Sequence, residues 1–141
     1  GIPMIQKRFS DIKVGDKSLF QKTITDSDIF AFAGICGDFN PLHVSEAFAK
    51  GTRFEGRIAH GMLVAGLIDY TLTGILGLGG VHISQTVQFR APVRLNDTIS
   101  VESTVTSADP DRKRLKIGSI LTNQHGKVVI TGEAEVMLLE S

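Results

Sequence analysis

The sequence predicts an α+β fold, one long central helix wrapped by a strongly curved antiparallel β-sheet. Helix signals dominate before about residue 80, and period-two alternation takes over after it. The alternating half divides into four consecutive strands joined by turn residues, the pattern of an antiparallel sheet with one covered face. Only Ile58–Leu76 is apolar enough to cover that face. A single helix leaves part of the sheet bare, so a homodimer is expected. With no repeat, low-complexity tract or linker, residues 1–141 read as a single domain.

The elements follow in order. Lys17 to Thr23 reads as a short first strand. Thr25 with Asp28 three positions on is a capping box opening a helix through Ile29, Phe32 and Ala33, which Gly34 and Gly37 weaken and end. A loop runs from Gly37 to His43, because Asp, Asn and Pro favour turns and Pro41 disfavours helix at Asn40. Ser45 caps a short helix holding Ala47 and Phe48, and Gly51 to Gly56 is loop again. In the helix Ile58–Leu76, the small residues Gly61, Ala65 and Gly66 let another backbone approach closely.

The strands come next. Val81, Ile83, Gln85, Val87 and Phe89 share one face, as do Ile99, Val101, Ser103 and Val105. After the turn Asp109-Pro110-Asp111, Leu115, Ile117, Ser119 and Leu121 resume the pattern. His125-Gly126 turns the chain again, and Val128, Ile130, Ala134, Val136 and Leu138 form the last apolar face.

Composition narrows the function. At 15.2 kDa, scaling puts the folded surface near roughly 7,100 Å² and buries about two-thirds of the chain, enough for a core without metals or disulfides. Fifteen basic and fifteen acidic residues cancel, which argues against electrostatic capture of nucleic acid or anionic membrane. Hydrophobic content of 42% against 21% charged argues against disorder. The lone cysteine, Cys36, allows no intrachain disulfide, so a reducing, cytoplasmic setting is expected. No signal-peptide pattern is visible, and Gly1-Ile2-Pro3 ahead of Met4 is set aside as foreign to the fold. The apolar stretch from Ile58 to Leu78 contains Asp69 and several glycines, which suits a buried helix better than a membrane span. The last apolar strand is followed by Ser141, so a free-standing subunit is expected.

Two places carry chemistry. The loop 37–43 sets Asp38, Asn40 and His43 around a proline, so a carboxylate and an imidazole can converge on one small object such as a water molecule. The structural alternative is that these residues satisfy backbone groups of a turn and a helix start. His60-Gly61-Met62 opens the long helix, where unpaired N–H groups carry partial positive charge and Gly61 offers no side chain in the way. A developing oxyanion fits there. The alternative is that Gly61 only lets helix and sheet pack tightly. Asp38, His43 and His60 also form a His₂-carboxylate set, but without HExxH-type spacing or cysteine ligands no metal is expected.

Phe32-Ala33-Gly34-Ile35-Cys36-Gly37-Asp38-Phe39-Asn40-Pro41-Leu42-His43, then Ala47 and Arg57-Ile58-Ala59-His60-Gly61-Met62, resembles the MaoC-like hydratase family, which includes the (R)-specific enoyl-CoA hydratases. Gln88-Phe89-Arg90-Ala91-Pro92-Val93 resembles that family too, and the likeness runs from about Phe9 to Leu138. The resemblance implies a hot-dog fold, a dimer or larger assembly, an acyl-CoA substrate and no cofactor. It further implies that Asp38 and His43 hold the water added across a trans-2-enoyl thioester, giving the (R)-3-hydroxyacyl product. Asn40 would hydrogen-bond within the loop and keep the dyad in place, as part of the substrate-binding set, and the Gly61 N–H would bind the thioester carbonyl.

Cys36 stands where the family commonly has Ser or Thr, and it is read as a small residue packing at a helix end in preference to a thiol with a catalytic role. Asp69 stands where some hydratases carry a small hydroxyl residue facing the acyl tunnel. It disfavours a long acyl chain if it points into that tunnel, and says nothing if it faces solvent or a partner. Arg53, Arg57, Arg90, Lys113 and Arg114 are either scattered surface charge or contacts for CoA phosphates. The competing functions are a dehydratase acting on acyl carrier protein, a thioesterase, or a non-catalytic acyl-CoA-binding module. For the carrier-protein dehydratase, a glutamate on the long helix is expected, and Asp69 is the only acid there.

Overall fold

The computed structural model describes residues 5–140; Gly1-Ile2-Pro3, Met4 and Ser141, at the chain ends discussed above, lie outside the described residues. After a 3₁₀ turn at Phe9–Asp11 come β1 (Lys17–Thr23), α1 (Asp26–Cys36), α2 (Pro41–Val44), α3 (Glu46–Lys50), α4 (Gly61–Ala65) and α5 (Ile68–Leu76). The second half is β2 (Gly80–Phe89), β3 (Thr98–Asp109), β4 (Arg114–Thr122) and β5 (Val128–Leu138). All five strands form one antiparallel sheet in the order β1-β3-β4-β5-β2. Period-two patterning places the core where it was expected: Ile99, Val101, Ser103 and Val105, then Leu115, Ile117, Ser119 and Leu121, are buried while their neighbours are not. Each large aliphatic side chain so buried contributes about 1.5–3 kcal/mol.

Helix α5 lays Ile68, Leu72, Ile75 and Leu76 into this layer. Its Thr71 would strand a hydroxyl there, but a directed chain resolves it. Thr71 Oγ1 donates to the Ile68 carbonyl at 2.6 Å, and Ser103 Oγ and Ser119 Oγ follow at 2.7 and 2.6 Å. One proton per hydroxyl then satisfies every donor. The chain ties helix to sheet at one register.

Three expectations need correction. First, β2 does not neighbour β3. It crosses to the far side and pairs with β5, from Gly80 opposite Leu138 to Phe89 opposite Ile130. Alternation decides which face is buried and is silent on which strand lies alongside. Second, the helix Ile58–Leu76 is two pieces. Ile58 bridges Arg94, and the Ala59 N–H donates to the Val93 carbonyl at 2.7 Å, so the helix begins only at Gly61. Between α4 and α5 the bonds tighten to i→i−3, Leu67 to Val64 and Asp69 to Gly66, both 3.1 Å. Third, Val128 is 39% exposed and Val129 is fully buried, because the pairing with β4 slips between Leu121 and Thr122. A bulge adds one residue and inverts the alternation there.

Candidate active site

The site starts with how α1 ends. Its first turn is held by the Thr25–Asp28 capping box, with Asp28 N–H to Thr25 Oγ1 at 3.2 Å and Thr25 N–H to Asp28 Oδ2 at 2.9 Å. Partial burial pushes the Asp28 carboxyl up. The Thr25 backbone and hydroxyl and the Lys22 ammonium more than offset this, leaving it below the ordinary aspartate value of 3.8. At the other end Gly37 takes a left-handed φ of 83°, a conformation that disfavours side chains. The chain therefore turns sharply just before Asp38.

From there the loop supports itself. Asp38 Oδ1 accepts the Asn40 N–H at 3.1 Å, and Asn40 Oδ1 accepts the Leu42 N–H at 3.0 Å. Asn40 is thus the N-cap of α2, with Pro41 opening the helix behind it. It hydrogen-bonds within the loop as the resemblance implied, and it is not among the residues lining the cavity. His43 sits in the short α2 rather than in a loop, and it is buried.

His43 has a defined polarity. Its Nδ1 lies 2.8 Å from the Ile58 carbonyl, which can only accept, so Nδ1 carries the proton. In the neutral ring Nε2 is then a lone pair, and it faces Asp38 Oδ2 at 3.8 Å, too far for a direct bond. A water placed about 2.8 Å from both would see them at an angle of about 85°, which it can serve as a double donor.

Two further residues brace this pair. His60 donates from Nε2 to the Asp38 carbonyl at 2.8 Å, and its ring stacks on His43 with centroids 3.9 Å apart. Its edge also meets Phe32 at 5.0 Å. The remaining His60 Nδ1 is buried with no partner among the described residues. Arg57 donates from Nε to the His43 carbonyl and from Nη2 to Asp26 Oδ1, both at 2.6 Å. It ties the base of α1 to the histidine. Reading Arg57 as a possible phosphate ligand missed this, because sequence spacing does not say which way a long side chain runs.

Asp38, His43 and Gly61 line one cavity of about 700 Å³, with Phe54, Ile58, Val64 and Phe89 among its apolar walls. Gly61 opens α4, and no acceptor takes its N–H among the described residues. The packing reason for a glycine also holds. A Cβ there would lie 2.5 Å from Phe89 Cε1. Cys36 is exposed on the cavity wall at the end of α1 instead of packed. Asp38, His43 and His60 do come together, with their ligand-type atoms within 4.8 Å of one another. Nδ1 of one imidazole and Nε2 of the other are already committed to backbone carbonyls. Asp69 is elsewhere, largely exposed and 3.5 Å from His82 Nδ1. Among the described residues no helix is long and apolar enough to cross a membrane.

A helix laid across a curved antiparallel sheet, with a carboxylate and an imidazole brought together on one cavity at the start of that helix, defines an α+β domain with a cavity of small-molecule size. Comparison with known proteins gives its kinship. The family model described as "MaoC like domain" matches residues 11–126. An (R)-specific enoyl-CoA hydratase of Rhodospirillum rubrum is 46% identical over 96% of this chain and 94% of its own length. A 3-hydroxybutyryl-CoA dehydratase of Methylorubrum extorquens is 45% identical over 91% of this chain and 82% of its own. Among solved structures, unliganded R-hydratase PhaJ1 of Pseudomonas aeruginosa superposes with a TM-score of 0.87 at 38% identity, covering 94% of this chain and 86% of that one. The chain belongs to the MaoC-like family and has its hot-dog fold.

Proposed function

We propose that the protein is an (R)-specific enoyl-CoA hydratase, a hydro-lyase that reversibly adds water to a trans-2-enoyl-CoA. The observation that carries this is the 3.8 Å gap between His43 Nε2 and Asp38 Oδ2, two proton acceptors facing each other across the room for one water. The water donates to both and its oxygen bonds to Cβ, while electrons shift through the conjugated thioester onto its carbonyl oxygen. The pair takes one proton from the water and passes it to Cα, while the other stays on the new Cβ hydroxyl, so atoms balance without any other reagent. The Gly61 N–H meets the oxygen where negative charge builds, on a cavity whose wall is largely apolar. Each acid/base role is worth about 10²–10⁴ in rate.

No metal or organic cofactor enters this scheme. The carrier-protein dehydratase reading loses its helix acid, since Asp69 is exposed and outside this cavity. We also infer a homodimer. Ile35, Phe39, Met62 and Phe89 are apolar and more than half exposed on one protomer, and β2 is an open sheet edge.

The test is the loss of enoyl absorbance when the protein meets crotonyl-CoA, with chiral analysis of the product. A single (R)-3-hydroxybutyryl-CoA product, formed as fast after dialysis against EDTA, supports the reading. An inert protein given both crotonyl-CoA and a longer enoyl-CoA refutes it.

A further inference from the structure

The five basic residues that the sequence offered for phosphate contacts divide sharply in the structure. Arg57 is spent on His43 and Asp26. Arg114 pairs with Glu135 at 3.0 Å, and Lys113 lies near Glu140 at 3.7 Å and over the Phe9 ring. Arg53 and Arg90 alone among the five line the cavity that holds Asp38 and His43. Both are exposed, and neither is in an ion pair among the described residues. Each is oriented by a neutral neighbour instead. The Arg53 guanidinium sits 4.9 Å from the Phe54 ring centroid, and Arg90 Nε donates to Thr131 Oγ1 at 3.1 Å, its two terminal nitrogens having no partner among the described residues.

The contrast with the rest of the molecule is informative. The chain is neutral overall, so two unpaired guanidinium groups on one cavity are not a by-product of a basic surface. Among the described residues Asp38 is the only acid on the cavity wall. Two cations on the wall of a largely apolar cavity attract an anionic group attached to an apolar, reactive one. Guanidinium geometry matches phosphate oxygens two at a time.

We propose that Arg53 and Arg90 form a phosphate subsite that holds the 3′-phospho-ADP end of CoA while the enoyl group reaches Asp38 and His43. This rests on the hydratase reading and adds to it which carrier the site recognises. Because the phosphates lie far from the reacting carbons, the arginines contribute equally to ground state and transition state, so their loss is felt in KM.

The experiment compares kcat/KM for crotonyl-CoA and for crotonyl-N-acetylcysteamine, which carries no phosphate, in wild type, Arg53→Gln, Arg90→Gln and the double variant. The ratio of the two is expected to fall about tenfold per arginine, with kcat for crotonyl-CoA held. Wild-type KM for crotonyl-CoA should also rise with ionic strength, and that dependence should flatten in the double variant. A ratio that stays constant, whether both substrates decline together or neither does, overturns the proposal. So does a defect seen with a crotonyl-acyl-carrier-protein but not with crotonyl-CoA. Titration of CoA itself by calorimetry separates the two readings. Arginine-dependent CoA binding by a protein that hydrates neither thioester would retain the subsite and reject the hydratase.

Discussion

Gly61 can be tested without disturbing the dyad, because the structure allows its N–H to be removed almost alone. A Cβ at this position would lie 2.5 Å from Phe89 Cε1 and 2.7 Å from Cδ1. Carbon atoms prefer about 3.5–4.0 Å, so the ring would have to withdraw by about 1 Å. Phe89→Ala clears that space first. In that background Gly61→Ala keeps the N–H and Gly61→Pro deletes it. The backbone accepts proline: Gly61 is the first residue of α4, where proline is well tolerated, and His60 at φ −59°, ψ 130° already has the extended shape that precedes one. Loss of an oxyanion donor costs about 10²–10³ in kcat, or about 2.7–4 kcal/mol. The proline variant should show that deficit relative to the alanine variant in crotonyl-CoA hydration, at similar KM and melting temperature. Equal kcat in the two, with matched melting, would refute the oxyanion role and leave Gly61 as a packing glycine.

Two other predictions concern supports of the site. Arg57→Met removes both 2.6 Å bonds and frees the His43 carbonyl, so kcat should fall up to about 10²-fold through misplacement of the imidazole. Arg57→Lys, able to keep one of the bonds, should recover part of it. The Asp28 carboxyl is held below 3.8, so the carboxylate stabilises the fold above the unfolded value and that contribution is lost as pH falls through the lower folded one. Thermal melting of wild type and Asp28→Asn should therefore differ at pH 6 and converge from about pH 4 downward.

Much of this architecture is legible in local chemistry. The bounds of β1 and the Thr25–Asp28 capping box follow from residue type and spacing, as do the buried faces of β3 and β4, since each depends on neighbours within a few positions. That Asp38, Asn40 and His43 come together is legible for a related reason: a separation of five positions spans all three, so sequence proximity is spatial proximity. What escaped depends on partners far along the chain. The place of β2 beside β5, the bulge that buries Val129, and the bridge that delays the helix to Gly61 are all set by cross-strand contacts. The same holds for the bracing residues. Nothing local marks His60 as the ring stacked on His43, or Arg57 as its tether, because Asp26 and the His43 carbonyl are distant in sequence.

The most direct measurement is steady-state hydration of crotonyl-CoA by Asp38→Asn. Asparagine keeps an oxygen for the Asn40 N–H, so the loop should stay folded while one of the two proton acceptors is lost. The structure predicts a fall of about 10²–10⁴ in kcat with an unchanged melting temperature. A correctly folded Asp38→Asn protein that hydrates crotonyl-CoA at the wild-type rate would contradict the water-holding role of this pair.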